Sequence, residues 1–423
     1  MKKYKLGEIA DIIVGYPFES AKFNTDGNGV LLVRGMNVSE RFLRFGDEAR
    51  YWNYITDDLK PYYLKENDIV IGMDGSKVGK NFALVKKEDL PLVLVQRVAC
   101  IRAKKDYDQR YIWQYVSSKR FIEYVNTIKT GSSIPHISGN QISNFPIFVP
   151  DLQSQQKIAT VLSSLDDKIA LNRRMNAKLE QMAKQLYDYW FVQFDFSNAD
   201  GKPYKASGGK MVWNEVLKRE IPAGWEVKSV NDISTSYRGV GYTANDEKSV
   251  EDNDVVLILR GNNISNNHII YDGNTVYLDK SFVSEEQKIH KYDFVMTMSS
   301  GSKEHVGKSA MFLFDSPHSY GAFCNKITPA KDCQFFLENY LHSEYFKKYI
   351  QITCSGTGIN NLTNEHFDKA FFSFPDNELL KSFNEKVNSI YEQIGVLEKE
   401  NLRLTGLRDR LLPLLMNGQI IIK

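Results

Sequence analysis

Four cysteines are spread over 423 residues, at Cys100, Cys324, Cys333 and Cys354, and no two form a C-x-x-C pair. They are too few and too scattered for a disulfide framework or a zinc cage. No run of about 18 apolar residues occurs, so no membrane-spanning helix is expected. The N-terminus, MKKYKLGEIADII, carries lysines but no apolar stretch of signal-peptide length, and a reducing cytoplasm is the expected location. Charge of one sign is missing too: 54 basic and 52 acidic residues leave a net +2. The balance shifts along the chain. Residues 1–150 hold 22 basic and 17 acidic groups (+5), and residues 151–218 hold 10 and 8 (+2). Residues 219–375 hold 15 and 20 (−5), and residues 376–423 hold 7 of each. The basic footprint usual for a nucleic-acid binder is therefore modest and confined to the first part of the chain.

Catalytic patterns are also lacking. GSKEHVGKSA (301–310) has five residues between Gly301 and Gly307-Lys308, where a P-loop has four, and an apolar strand-like run follows instead of a helix. NFPIF (144–148) lacks the paired prolines of an adenine methyltransferase motif. Glu226-Val227-Lys228 has no acidic counterpart at Lys5-Leu6-Gly7 and reads as an exposed strand face. The seven histidines show no metal-ligand spacing. His136 has Asn361 as its counterpart, which suits hydrogen bonding better than acid–base work. The 42% apolar and 12% aromatic content is that of a globular chain of about two to four domains.

What the chain does have is a long internal repeat, offset by about 225 residues. YKLGEIADI (4–12) lines up with WEVKSVNDI (225–233), pairing Asp11 with Asp232. VLLVRGMNVS (30–39) matches VLILRGNNIS (256–265), NDIVIGM (67–73) matches YDFVMTM (292–298), and GSKVGK (75–80) matches GSKEHVGK (301–308). TGSSIPHISGNQISNFPIFVP (130–150) matches SGTGINNLTNEHFDKAFFSFP (355–375) at equal length. Each copy reads as short apolar strands with turns plus one helix, at 111–128 and at 335–352.

Each copy runs into a heptad pattern. The first seam is Ile158, Leu162, Leu165, Ile169, Asn172, Asn176, Leu179, Ala183, Leu186 and Trp190. The second is Phe383, Val387, Ile390, Ile394, Leu397, Asn401, Leu404, Arg408, Leu411 and Leu415. Asp151 and Asp376, each after a proline, are candidate N-caps. Pro413 should kink or end the second helix. A helix of about 40 residues reaches ~60 Å. The duplication predicts that the two seams pair head to tail, with Asn176 and Asn401 fixing register. Beside the seam runs a second stripe: Leu171, Met182 and Tyr189, matched by Val396, Leu407 and Leu414. These six are candidate docking positions for partner helices; the alternative is packing on the neighbouring globular copy. Residues 195–224, rich in Gly, Lys and turn formers, read as a connector.

This arrangement resembles the specificity subunit of type I restriction–modification enzymes. The resemblance is carried by the TGSSIPHIS loop (130–138), by FVPDLQSQQKI (148–158), by GKPYKASGGKMVWNEVLKREIPAGWEV (201–227) and by the heptads, and it covers essentially the whole chain. Two departures exist. Gln153-Ser154-Gln155-Gln156 lacks the acidic residue usual before the glutamine, and PDNELLKSFNEKV (375–387) lacks the glutamine. The implied fold is α+β (mixed α/β): target-recognition domains at 1–150 and 225–375, long spacer helices at 151–194 and 376–423, and a connector at 195–224. The helices would form an antiparallel coiled coil with pseudo-twofold symmetry. The implied function is non-catalytic reading of a split, asymmetric site on double-stranded DNA. The coil would set the spacer and dock two methyltransferase subunits, while a separate ATP-driven subunit translocates and cuts. No cofactor or metal is expected in this chain; S-adenosylmethionine and ATP would belong to the partners. A structural scaffold or a decoy that binds the methyltransferase without reading DNA is the alternative.

The repeat sorts the candidate DNA contacts. Residues present in both copies cannot tell two half-sites apart, so Arg34 and Arg260, Lys77 and Lys303, and Lys80 and Lys308 are candidate phosphate contacts. Arg34 and Arg260 could instead bond loop carbonyls. Base reading is expected from divergent segments: Arg41 to Trp52, with Arg41 and Arg44; Tyr237 to Asn245, with Tyr237 and Arg238; Asn266 to Asn274; and Asn262 and Asn263 nearby. The matched loop holding Ser132, Ser133 and His136, with Thr357, Asn360 and Asn361, is either a DNA-facing turn or a docking turn.

Overall fold

The computed structural model describes residues 1–423 apart from Ile55, Ser132, Ser133, Glu251, 272–274, 355–359, Ile421 and Lys423. Ser132, Ser133, Thr357 and Asn274 of the candidate loops thus lie outside the described residues. The chain divides into two compact units. One is Met1–Leu171 with Asn401–Lys423, the other Asn172–Glu400. Each therefore takes part of both long helices, where the sequence pattern had set helices and globular domains apart.

The first unit is built on a four-stranded antiparallel sheet ordered Ala10–Val14, Val98–Ala103, Ile69–Gly72, Phe82–Leu84. A three-stranded sheet ordered Tyr51–Trp52, Val30–Val33, Leu92–Leu94 contains one parallel pair, Val30–Val33 with Leu92–Leu94. Lys2–Lys5 pairs with Pro146–Val149, and Val38–Ser39 forms a small hairpin with Phe42–Leu43. The second unit repeats this plan. Its sheets run Ser234–Arg238, Cys324–Pro329, Phe294–Thr297, Ser309–Met311 and Val276–Asp279, Val255–Leu259, Ser319–Tyr320. Glu226–Ser229 pairs with Phe371–Phe374, and Ile264–Ser265 with His268–Ile269.

Hydrogen bonding shifts the start of the repeat. The Lys5 N–H donates to Glu8 Oε2 and the Ser229 N–H to Asp232 Oδ2, each at 2.6 Å. Leu6 and Val230 are fully buried beside these turns. Asp232 is therefore the counterpart of Glu8, not of Asp11. An apolar pattern with gaps of three tolerates such a slip, whereas a capped turn does not.

The single helix expected at 111–128 is two, Gln109–Val116 and Lys119–Ile128; that at 335–352 is Gln334–Leu341 and Glu344–Thr353. Ser118 and Ser343 are extended N-caps, and each hydroxyl turns back to the carbonyl of residue 115 or 340. Periodicity continues across the break because both helices face the same core. Residues 195–224 are more than a connector. Met211–Asn214 and Arg219–Pro222 form an antiparallel hairpin, and Phe194, Phe196 and Ile221 are buried in the core of the second unit.

The long helices are Leu152–Tyr187, prolonged by a π-helical turn at Asp188–Val192, and Asn377–Met416. Asp151 accepts from the Ser154 N–H at 2.9 Å and Asp376 from the Leu379 N–H at 2.8 Å, so both N-caps form. Pro413 sits in the last turn, and the helix runs three residues past it. In the first unit Ile158 and Leu162 share a core with Leu415 and Met416. In the second, Ala183, Tyr187 and Trp190 share one with Phe383, Val387 and Ile394. Within each unit the paired segments run antiparallel: Asp166 meets Arg408, and Asn172 donates to Glu400 while Trp190 lies against Phe383. Asn176 is buried and Asn401 half-buried, and the neighbouring seam asparagine Asn172 donates across the helices to Glu400.

Phe383 is fully buried, with its ring 4.9 Å from Phe191 and 5.9 Å from Trp190. Phe383→Ala is expected to cost about 3–5 kcal/mol, read as a lower denaturant midpoint of the second unit.

Candidate nucleic-acid interface

Arg34 and Arg260 each follow an apolar strand and open a 3-10 turn. The turns are the same in both units. Asn37 Oδ1 accepts from the Arg34 N–H at 3.0 Å, and Asn263 Oδ1 from the Arg260 N–H at 2.9 Å. The amide groups of Asn37 and Asn263 donate onward to the carbonyls of Arg44 and Ile270. Asn263 is fully buried by this work, so its side chain holds the turn and cannot reach a base. Asn262 beside it is exposed. The Arg34 guanidinium donates to the Glu48 carbonyl and lies 3.8 Å from its carboxylate, so it straps the 46–50 segment to the strand. Arg260 lies at the Tyr242 hydroxyl.

Lys77 and Lys303 are exposed, and Lys80 and Lys308 half-buried, on matched turns. Lys308 Nζ lies 3.2 Å from His305 Nδ1. Glycine is needed in both turns. Gly79 has φ +90° and its missing Cβ would fall 2.8 Å from Val125; Gly307 has φ +80° against Ile350. The turns are thereby pressed onto the second helix of each pair. The matched loop binds back onto them: the Gly75 N–H donates to the Pro135 carbonyl at 3.0 Å, Ile137 N–H to Met73 at 2.8 Å and Leu362 N–H to Met298 at 2.7 Å. His136 Nε2 is 3.0 Å from Thr130 Oγ1, a local hydrogen bond. Asn360 is buried and Asn361 exposed.

Tyr237 and Arg238 end the edge strand of the second unit's larger sheet and are exposed. They border an open depression with Asn325, Asn361, Asn364 and the exposed Phe323. The first unit has a depression along the matching edge strand, between it and a short helix, lined by Asp11, Ile12, Val14, Asn140 and Ser143. The frames agree while the groups they present differ. Phe323 and Asn325 were missed because they lie in the turn before the neighbouring strand and at its start, far off in sequence; an isolated aromatic in GAFC was the one available sign.

Arg44 is exposed, its Nε donating to the Met36 carbonyl at 3.2 Å. Arg41 has another task. Its side chain donates to the Ser117 carbonyl at 3.1 Å, lies 3.5 Å from Asp166 and sits over the Trp113 ring. Asp166 also accepts from Arg408 at 3.0 Å. The Val38–Leu43 hairpin is thus clamped to both long helices, and Arg41 is not available for a base. Burial lowers the Arg41 pKa against the pull of Asp166.

On the helices, Leu171, Met182, Tyr189, Val396 and Leu407 are exposed and Leu414 is half-buried. Among the described residues no cluster of His, Cys, Asp and Glu is placed to hold a metal ion, and no helix is long and apolar enough to cross a membrane. All four cysteines are buried and unpaired as thiols. Asp166→Asn removes the carboxylate that Arg41 and Arg408 share. It is expected to cost about 1–3 kcal/mol and to speed hydrogen exchange in the 38–43 hairpin while leaving the 264–269 hairpin unchanged.

Comparison with known proteins bears on this arrangement. The type I restriction modification DNA specificity domain matches residues 1–181. The type I restriction enzyme MjaIX specificity subunit of Methanocaldococcus jannaschii is 26% identical over 332 residues, which cover 78% of this chain and 73% of that protein. The HindI specificity subunit of Haemophilus influenzae is 26% identical over 360 residues, covering 73% and 77%. Among solved structures, the S subunit of a type I restriction–modification system from M. genitalium aligns with a TM-score of 0.54 at 14% identity, over 98% of this chain and 96% of that one, a likeness of fold. Duplicated frame, heptad helices and relatives point the same way: residues 1–181 match the type I restriction modification DNA specificity domain, and over most of its length the chain is similar to specificity subunits of type I restriction enzymes.

Proposed function

We propose that this chain reads a split, asymmetric DNA site without catalysing any step itself. One observation carries the reading: two units with the same turns, sheets and caps end in different exposed groups at the same place. Exposed Tyr237 and Arg238 stand in the second unit where the matching strand of the first ends in half-buried Ile13 and exposed Val14. Equivalent frames with unlike tips suit two unlike half-sites. Amides, hydroxyls and a guanidinium can each bond base edges in the major groove. Lys77, Lys80, Lys303 and Lys308, shared by both units, suit backbone phosphates, which position without specifying sequence. Two methyltransferase subunits dock on the stripe of exposed Leu171, Met182, Tyr189, Val396 and Leu407 with half-buried Leu414. S-adenosylmethionine and ATP are then used by partner subunits and not by this chain. The net −5 of residues 219–375 favours weak DNA binding by the isolated chain, with partners supplying positive surface.

Methylome sequencing of cells with and without this gene, beside its neighbouring methyltransferase, tests the reading. A two-part adenine-methylated motif is expected to vanish on deletion; an unchanged methylome would reject it. In the assembled complex, Lys77→Ala is expected to weaken binding evenly across sequences and reduce the salt slope by about 1. A change in sequence preference would instead make Lys77 a base reader.

A further inference from the structure

His268 begins the second strand of the Ile264–Ile269 hairpin. Its ring lies between two carboxylates, one from each long helix. Nε2 is 3.1 Å from Glu180 Oε1, and Nδ1 is 3.1 Å from Glu398 Oε1. With both nitrogens against acceptor oxygens, only the imidazolium can donate in both directions.

The first unit solves the same mechanical problem with the charges reversed. There the hairpin brings a cation, Arg41, to a carboxylate, Asp166, that the other helix grips with Arg408. In the second unit the hairpin's one cation is gripped by two carboxylates. Neither clamp is repeated by the duplication. Phe42 stands at the position matching His268, and Arg173 and Thr405 stand 225 residues from Glu398 and Glu180. Hairpin and helices are common to both units, but the ionic link between them is separate in each.

We propose that His268 is the positioning residue that holds the second recognition domain in its DNA-reading attitude on the long helices. This rests on the reading of the chain as a DNA reader. The hairpin continues from the Arg260–Asn263 turn and from the strand Val255–Leu259. A hairpin released from the helices therefore passes its freedom to the Arg260–Asn263 turn and, through the end of Val255–Leu259, to the paired strand Ser319–Tyr320, which leads into the exposed Phe323.

Titratable groups around the clamp include Tyr271, whose hydroxyl is pushed up to about 12 by burial and by Glu398; Tyr391, pushed up by burial and by the charges of Glu338 and Glu180; and His318, its ring 5.3 Å from that of Tyr271 and tilted by 59°, lowered by burial. The strand Ser309–Met311, which packs against the hairpin, has no titratable side chain. Burial alone would lower the His268 pKa. The hydrogen bonds to Glu180 and Glu398, with their charges, outweigh it and raise the pKa to about 10. A raised pKa means that the clamp is complete below the ordinary histidine value near 6.5, weakens as pH climbs above it, and is gone above about 10.

Methylomes of cells carrying the wild type, His268→Gln and His268→Arg test this. Arginine keeps a bidentate cation between the carboxylates. In His268→Gln, discrimination at one half of the motif is expected to fall by about tenfold, within the range that one wrong base pair costs. The other half should be unchanged, and His268→Arg should restore both. In duplex binding by the purified complex, the wild type should lose discrimination at that half between pH 8 and 10 while His268→Arg keeps it. A His268→Gln motif identical to wild type, or equal loss at both halves, would overturn the positioning role. Absence of any split motif in the wild type would overturn the DNA-reading role on which it rests.

Discussion

Neither long helix has reason to persist alone in water at this length, with an apolar stripe along one side. Each is stabilised by burying that stripe, and the partner is not the other helix alone. In the first unit Ile158, Ala159 and Leu162 belong to the same core as Tyr115, Phe121 and Phe145 of the globular part and Leu415 of the second helix. In the second unit Tyr187, Phe383 and Tyr391 belong with Phe335, Phe336 and Phe372. Phe335 stacks on Tyr391 at 4.4 Å and 4°, and Asn339 donates to the Tyr391 hydroxyl at 3.0 Å. Globular part and helix segments cannot be separated without opening this core. Apolar packing therefore holds each globular part on its helices, and the polar links fix the attitude it takes there.

Those links differ between the units because packing tolerates it. Gln155 is buried in the first unit, accepting from the Asp108 N–H at 2.9 Å and donating to the Pro150 carbonyl. Leu380 occupies the matching place in the second and is equally buried. There Asn384 takes up the adjoining loop, donating to the Asp332 carbonyl at 2.6 Å. A position can exchange a hydrogen bond for a methyl group when the surrounding core supplies the energy. What stays common is the backbone geometry that only certain residues allow: the Asn37 and Asn263 turns, and the glycines at 79 and 307 with positive φ. Common geometry with free choice of exposed side chains is what two unlike half-sites require of one duplicated frame.

The repeat, the seams and the caps at Asp151 and Asp376 were legible in the amino-acid sequence because each is periodic or local. An a/d stripe over ten positions has few other readings, and a cap is settled within four residues. The break at Ser118, the three-residue slip at Glu8 and Asp232, and the hairpin at 211–222 were not legible. Each turns on which backbone group finds which partner, and apolar spacing does not report that. The candidate site divides the same way. The lysines of the matched turns, and Tyr237 and Arg238, were found as surface residues by comparing the copies. Arg41 and Asn263 were misjudged, since a polar side chain in a loop looks alike whether it meets solvent, a helix carbonyl or its own turn.

The order of residues alone therefore decided that there are two related units, that two long helices carry them, and which residues face the seams, since all of this follows from period and from chain-local hydrogen bonding. Tertiary structure alone decided that Arg41 meets Asp166 across 125 positions and His268 meets Glu180 and Glu398. It decided too that Phe323 shares a depression with Tyr237. Coulomb attraction and burial act over a few ångströms of space, and that spacing exists only once the chain has folded.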